Sequence, residues 1–295
     1  MGINGCCTAL ITPFKKDKSV DFELFKKQIK RQLDNKVSGL LACGTTGESP
    51  ALSDDEWEKV VKVANSNKKN SYLIAGTGTN NTEKTIEKTK IAESIGVDYA
   101  LVITPYYNKP NQQGLVEHFK KVAKSTKLEI IIYNVPSRTG VNILPETVAH
   151  LSEIKNIVGI KEASGNLNQT TEILLKAKKG FSVMSGEDSI FLPILSVGGV
   201  GIISTISNVV PEYMQSLFEL FFAKEIEECR KLHHFLYPIS KVLFVETNPV
   251  PVKYCMEYLN LDSGELRLPL APLSENNKKL VEETVKNMGL KKEII

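Results

Sequence analysis

A lysine that directly follows a buried apolar run is the residue of this sequence best suited to covalent chemistry. Residues 156–160 (NIVGI) lead into Lys161, and Gly165 follows where a ligand needs room to approach. Partial removal from water favours the neutral amine, which can attack a carbonyl carbon and form a Schiff base. The alternative is a lysine at a strand end whose ammonium group reaches back to water. The spacing alone leaves both interpretations open.

A second apolar run ends in a tyrosine, and an arginine follows in the next loop. Residues 129–132 (EIII) lead into Tyr133, whose phenol can carry protons, and then to Arg138, whose guanidinium can grip a carboxylate with two hydrogen bonds. Taken alone, Tyr133 also suits a packed core aromatic, and Arg138 an exposed loop charge. Tyr133 and Arg138 are therefore candidate functional residues only if Lys161 lies close to them in the fold.

Hydroxyl groups and glycines follow three other runs. Thr45 and Thr46 lie in a glycine-rich turn (CGTTGES, residues 43–49) that is expected to present consecutive backbone N–H groups to a carboxylate. Tyr107 follows the fourth run, and the glycines near Ile203 leave room for a small ligand. Turns of this composition are common, so each is weak evidence in isolation.

Metal and disulfide chemistry are not predicted. The four histidines lie on helical segments without an i, i+4 pair, and no Gly-x-Ser-x-Gly motif occurs. The five cysteines include no Cys-x-x-Cys pair, so reduced thiols are expected, with Cys6, Cys7 and Cys43 acting as small hydrophobes inside apolar runs.

Apolar runs and helical segments alternate along the chain, which positions these residues. The runs are continuously apolar and therefore typical of parallel strands buried on both faces. Asp21, Ser53 with Glu56 in a capping box, and Pro145 mark starts of the intervening helices. The predicted strands are residues 6–11, 37–43, 71–75, 97–104, 129–135, 156–160, 181–184 and 200–204.

Eight such units predict an α/β fold, a (β/α)₈ TIM barrel, in which functional groups lie at the C-terminal ends of the strands. An open doubly wound sheet is disfavoured, because Gly76 and Gly78 are followed by Asn81 where a dinucleotide-binding turn needs a third glycine. We expect residues 1–224 to form the barrel with the catalytic site. Residues 225–295 are expected to form a C-terminal helical region of two or three helices.

Charge and hydropathy exclude several partners. Lys and Arg number 37 against 34 Asp and Glu, a net charge of +3, and no block of basic residues occurs, so nucleic acid is not expected as a partner. No apolar stretch is long enough for a membrane span, and the N-terminus has no signal-peptide pattern. We therefore expect a soluble cytoplasmic protein that is not bound to membranes.

Several motifs together resemble one family. Residues 44–48 (GTTGE), 133–140 (YNVPSRTG) and 159–163 (GIKEA), with 104–108 (TPYYN) and 248–253 (NPVPVK), resemble the dihydrodipicolinate synthase family of pyruvate-dependent class I aldolases over essentially the whole chain. The resemblance implies that pyruvate forms an imine with Lys161, becomes an enamine and adds to aspartate 4-semialdehyde. The adduct would cyclise to 4-hydroxytetrahydrodipicolinate in lysine and diaminopimelate biosynthesis. No cofactor is implied beyond the covalent imine.

The same resemblance implies roles for the other residues. Tyr133 would donate and accept protons through Thr45 and through Tyr107, which reaches in from the neighbouring subunit of a homotetramer built as a dimer of dimers. The residues expected to bind substrate are Thr46, Arg138, Ile203 and Gly186, of which Thr46 would hold the pyruvate carboxylate.

Arg138 favours an aldehyde acid, because the similar sialic-acid lyases lack this arginine and a second carboxylate needs a cation. Two alternatives remain: a lyase or aldolase acting on a 2-keto sugar acid or hydroxy-oxoglutarate, and a non-catalytic regulator that binds a keto acid. The regulator is less favoured, because a binder needs no proton relay.

Feedback by lysine is expected to be weak or absent. Lysine-inhibited relatives use histidines and an acidic side chain where this sequence has Asp54, Trp57 and Lys84, although Ser49, Asn80 and Tyr106 match. Lys84 would place a positive charge where the ammonium group of the inhibitor is usually neutralised.

Overall fold

A computed structural model describes residues 3–292 of the chain. Eight strands follow each other in chain order around one closed parallel barrel, which confirms the predicted TIM-barrel fold. Each predicted apolar run overlaps one strand. The strands are β1 Gly5–Ala9, β2 Gly39–Ala42, β3 Tyr72–Gly76, β4 Tyr99–Ile103, β5 Glu129–Asn134, β6 Ile157–Glu162, β7 Ser182–Ser185 and β8 Gly201–Ser204.

Helices connect successive strands and continue beyond the last one. The final three, α10 to α12, match the predicted C-terminal appendage. The division of the chain at residue 224 remains a prediction. The helices are α1 Phe22–Asp34, α2 Asp54–Asn67, α3 Thr82–Ile95, α4 Gln112–Lys124, α5 Pro136–Thr139, α6 Pro145–Ser152, α7 Leu167–Lys176, α8 Phe191–Ser196, α9 Pro211–Phe222, α10 Ile226–Val242, α11 Val250–Tyr258 and α12 Glu275–Asn287.

By the density of its internal contacts the chain divides into two compact units. Among the described residues, the first contains Tyr72–Ile203 with residues 3–5, and the second contains Cys6–Ser71 with residues 204–292. In the first unit β3 to β8 pair in parallel, and Tyr133 on β5 is in register with Lys161 on β6. In the second unit β1 pairs with β2, and all four residues of β2 are buried.

Local sequence signals explain the helix starts. The Asp21 side chain accepts a hydrogen bond from the amide of Leu24 at the start of α1. Ser53 and Glu56 form the predicted capping box of α2, and Pro145 occupies the first turn of α6. These caps satisfy amide groups that a helix leaves unpaired at its N-terminus.

All five cysteines are buried, and none of them forms a disulfide bond within residues 3–292. Within residues 3–292 no group of His, Cys, Asp and Glu side chains could hold a metal ion. No helix in this part of the chain has the length and apolar character to cross a membrane.

Candidate active site

Lys161 and Tyr133 come together because β5 pairs with β6. The two residues are register partners, and Met184 of β7 flanks Lys161 on its other side. Lys161 is only 6% exposed, and its Nζ lies 4.5 Å from the centroid of the Tyr133 ring. This burial contradicts the alternative of a lysine whose ammonium extends into water. An amine withheld from water beside a phenol is suited to attack a keto group while the phenol moves protons.

Gly186 follows β7 and leaves space around Lys161. A Cβ atom at this position would lie 3.0 Å from Cε of Lys161 and 2.6 Å from Cβ of Ala163. The second distance is shorter than real carbon contacts allow, so a larger residue would force a shift beside the lysine. The structure therefore places Gly186 against Lys161.

A buried polar network lies directly behind this pair, and the sequence analysis missed it. Glu162, 2% exposed, accepts hydrogen bonds at Oε2 from Asn134 Nδ2 at 3.0 Å and from Gln169 Nε2 at 3.2 Å. The amide of Ser164 donates to Oε1 at 2.7 Å. Asn142 joins the network by accepting from Asn134 at 2.8 Å and donating to Gln169 at 2.7 Å.

This network fixes the ends of β5 and β6. Asn134 and Glu162 are the residues that follow Tyr133 and Lys161, and successive side chains in a strand point to opposite faces. A saturated carboxylate at that place holds both strand ends in one arrangement. The available signal was a polar residue continuing each apolar run, but the partners on α7 and in the loop after α5 could not be read from it.

Arg138 and Tyr107 are both exposed in the first unit. Arg138 lies on the short helix α5 and is exposed. Tyr107 is 88% exposed and has a positive φ of 71°, while its amide donates to the carbonyl of Thr139 at 3.4 Å. A bulky residue with positive φ is uncommon because this backbone conformation costs energy, and it persists where the surrounding structure holds it in place. Ile203 on β8 is 1% exposed.

The threonine turn, residues 44–48, lies in the second unit at the end of β2. The amides of Gly47 and Glu48 donate to the carbonyls of Gly44 and Thr45, each at 3.1 Å. These two amides are used inside the turn, so a bound carboxylate would depend on the consecutive amides and the hydroxyls of Thr45 and Thr46.

Thr46 is buried and its hydroxyl is held from the C-terminal part of the chain. Asn248 Nδ2 donates to Thr46 Oγ1 at 2.9 Å, and the Thr205 hydroxyl lies 3.4 Å from the same oxygen. Thr12 Oγ1 donates to the carbonyl of Gly47 at 2.7 Å. The turn is therefore fixed at several atoms.

Comparison with known proteins agrees with these features. The model of the dihydrodipicolinate synthetase family matches residues 2–288. The chain belongs to this family. A 4-hydroxy-tetrahydrodipicolinate synthase of Thermotoga neapolitana is 46% identical over 97% of this chain and 99% of its own length. The Thermotoga maritima dihydrodipicolinate synthase structure has a TM-score of 0.96 at 43% identity, covering 98% of this chain and 100% of that one.

Other dihydrodipicolinate synthase structures differ in their ligands and assembly. One from Acinetobacter baumannii, described as complexed with pyruvate, is 36% identical over 98% of this chain and 99% of that one, with a TM-score of 0.95. One from Cyanidioschyzon merolae, described with lysine bound, is 35% identical over 97% and 98%, with a TM-score of 0.94. A third, 43% identical over 98% and 97% with a TM-score of 0.95, is described as the first monomeric variant.

Proposed function

We propose that this member of the dihydrodipicolinate synthetase family condenses pyruvate with L-aspartate 4-semialdehyde to give 4-hydroxy-tetrahydrodipicolinate. The carrying observation is the burial of Lys161, 6% exposed, with its Nζ 4.5 Å from the centroid of the Tyr133 ring. The names of similar proteins support the same reaction. The enzyme is accordingly a lyase of the class I aldolase type.

The steps balance without a cofactor. The Lys161 amine adds to the keto carbon of pyruvate, and water leaves to give an iminium ion. Loss of a methyl proton gives an enamine, whose carbon attacks the aldehyde of the second substrate. The amino group of that substrate then attacks the former keto carbon and releases the lysine amine, which closes the ring. Tyr133 would carry the protons in these steps.

The remaining site residues have proposed roles in binding. Thr46 would hold the pyruvate carboxylate, and Ile203 would contribute backbone atoms because its side chain is buried at 1% exposure. Gly186 would leave room beside Lys161. Arg138, exposed on α5, would bind the carboxylate of the semialdehyde with two hydrogen bonds.

Borohydride trapping tests the covalent step. With pyruvate and borohydride, the peptide containing Lys161 should gain the mass of pyruvate plus two hydrogens less one water. Lys253, which is 0% exposed, is the matched internal control because it is a second buried lysine. Absence of the adduct on Lys161, or equal labelling of Lys253, would remove the mechanism.

A substrate panel separates the synthase from its alternatives. Aspartate semialdehyde should be turned over in preference to sugar aldehydes, and Arg138→Ala should raise its KM while imine formation with pyruvate continues. Preference for a sugar aldehyde would indicate the 2-keto sugar acid lyase instead. Imine formation without turnover of any aldehyde would indicate the regulator. A cytoplasmic location is part of this proposal.

Tyr107 is proposed to complete the relay from Tyr133 through Thr45 in a neighbouring subunit of a homotetramer. Its 88% exposure leaves the ring free to enter a second copy. Mixing inactive Lys161→Ala subunits with Tyr107→Phe subunits tests this arrangement. Activity should appear after subunit exchange, because one mixed site then contains both native side chains. No activity after exchange, or an active monomer by sedimentation, would contradict it.

A further inference from the structure

A buried ion pair joins the threonine turn to helix α11, and the reaction described above does not use it. Lys253 Nζ lies 2.6 Å from Glu48 Oε1, and the two side chains are 0% and 1% exposed. Burial lowers the pKa of Lys253, and the charge of Glu48 opposes that shift. Removing two charges from water is costly, so a buried ion pair contributes little net folding stability. We therefore look for a functional role of this pair.

Glu48 is the last residue of the turn, and contacts of its side chain stabilise an unfavourable backbone conformation. Its backbone is left-handed, with φ 52° and ψ 36°, which a residue other than glycine adopts at a cost. Both carboxylate oxygens are engaged: Oε1 by Lys253, and Oε2 by the amide of Arg267 at 3.0 Å. The carboxylate is thus gripped from two points of the C-terminal region.

Lys253 and Arg267, which hold the Glu48 carboxylate, are themselves held by further contacts. Lys253 Nζ also donates to the carbonyl of Glu265 at 2.7 Å and lies 4.2 Å from the centroid of the Phe14 ring. The Arg267 guanidinium lies 4.4 Å from the same ring and makes two hydrogen bonds to the Glu56 carboxylate, each 2.6 Å. The guanidinium lowers the pKa of Glu56 to about 2.

The same region touches the turn a second time. Asn248, which lies shortly before α11, donates to the Thr46 hydroxyl at 2.9 Å. Thr46 and Glu48 lie on either side of Gly47, where a Cβ atom would be 3.1 Å from the carbonyl oxygen of Leu10. We therefore expect a shift of Glu48 to move Thr46, since the single residue between them is itself held at its amide by the carbonyl of Gly44 and at its carbonyl by the hydroxyl of Thr12.

We infer that Glu48, Lys253 and Arg267 are positioning residues that set the Thr45–Thr46 backbone for the keto-acid carboxylate. The inference rests on the proposed function, because it assumes that this turn binds pyruvate. It assigns a task to the residue 248–253 motif, whose lysine has no part in the chemistry. We call Glu48, Lys253 and Arg267 the clamp. Loss of the clamp should weaken the binding of pyruvate more than it slows the covalent step.

The test variant is Glu48→Gln combined with Lys253→Met. It removes both charges at similar volume, whereas Lys253→Met alone would leave a buried carboxylate without its partner. We expect the KM for pyruvate to rise about tenfold or more and kcat to change less than about threefold. Removal of the exposed pair by Glu228→Gln with Lys231→Met on α10 is the matched control and should leave both constants unchanged.

A double-mutant cycle separates positioning from a general structural role. Thr46→Val should raise the KM for pyruvate. When the clamp substitutions are added to Thr46→Val, the KM should rise by a further factor of about two or less, because both changes act through the same turn. Should the clamp variant fail to fold, Glu48→Asp carries the cycle, since its shorter side chain keeps the charge beside Lys253 but cannot reach both Lys253 and the amide of Arg267.

Two results overturn the inference: an unchanged KM in a folded clamp variant, or full additivity with Thr46→Val. Failure of the proposed function looks different, because the wild type itself would then form no borohydride adduct with pyruvate. A raised KM with the Lys161 adduct still forming at saturating pyruvate supports both.

Discussion

The chemistry of Lys161 depends on a phenol whose contribution can be measured separately. Tyr133→Phe should lower kcat by about 10²-fold to 10⁴-fold, the usual range for loss of one general acid–base group. The adduct with pyruvate should still form, because the amine itself is unchanged. Steady-state kinetics and mass spectrometry measure the two effects. Tyr99→Phe, on the neighbouring strand β4, is the control and should retain wild-type kcat; an equal loss there would assign the effect to packing.

Gly186 offers a steric test of the same site. Gly186→Ala places a Cβ 2.6 Å from Cβ of Ala163 and 3.0 Å from Cε of Lys161. We expect about 1–3 kcal/mol of lost stability and slower imine formation, because Lys161 must move. Adding Ala163→Gly removes the closer contact and should restore much of the trapping rate, while Ala163→Gly alone serves as the reference. A Gly186→Ala enzyme with the wild-type trapping rate would show that this space is not needed.

Individual residues were predictable where chemistry and position coincide. Lys161 and Tyr133 each end an apolar run, and parallel pairing then places them side by side. Glu162 was not predictable in the same way, because its role depends on Asn142 and Gln169, which approach from other elements. A buried carboxylate has meaning only with its partners, and a single sequence does not show which distant side chains those are.

At the scale of elements, helix α4 carries a buried histidine that should set part of the pH dependence of stability. His118 is 5% exposed, its Nδ1 lies 3.0 Å from the Thr82 hydroxyl, and burial lowers its pKa from 6.5 to about 4. Between these pH values the unfolded chain binds a proton that the folded chain does not. The free energy of unfolding should therefore fall as the pH drops from 6.5 towards 4.

His118→Gln should remove this contribution. Between pH 7 and pH 5 the wild type should lose about 2 kcal/mol more than the variant. Urea unfolding at the two pH values measures the difference. His150→Gln, at an exposed position of α6, is the control and should lose as much as the wild type. A His118→Gln variant with the wild-type pH dependence would contradict the assignment.

Two element ends differ from the ends of the apolar patterns in the sequence, one because of backbone conformation and one because of packing. β2 ends at Ala42 although the apolar run continues to Cys43, because Cys43 has a positive φ of 56° that leaves the strand geometry. Apolar side chains at helical spacing run from residue 226 to residue 236 of the sequence, but α10 continues to Val242 with Pro238 inside it. Ile239 and Val242 are buried beyond the proline, so packing continues a helix that local propensity would end.

At the scale of the whole molecule, we predict from one surface charge that free lysine inhibits this enzyme weakly or not at all. A similar structure is described with lysine bound, whereas this chain carries the exposed Lys84 at the start of α3. The family resemblance implies an acidic side chain at this place in lysine-inhibited relatives, where it would neutralise the ammonium group of the inhibitor. We expect a cation there to repel lysine by about 1 kcal/mol, which is about fivefold in affinity, and the lost attraction should add to this.

Activity should therefore persist at sub-millimolar lysine. Lys84→Glu reverses the charge and should increase inhibition, because the ammonium group of lysine then meets a carboxylate. Lys90→Glu makes the same change at another exposed position of α3 and should leave the response unaltered. Inhibition of the wild type at sub-millimolar lysine would contradict the prediction. An equal gain in both variants would indicate that net charge, rather than this position, controls the response.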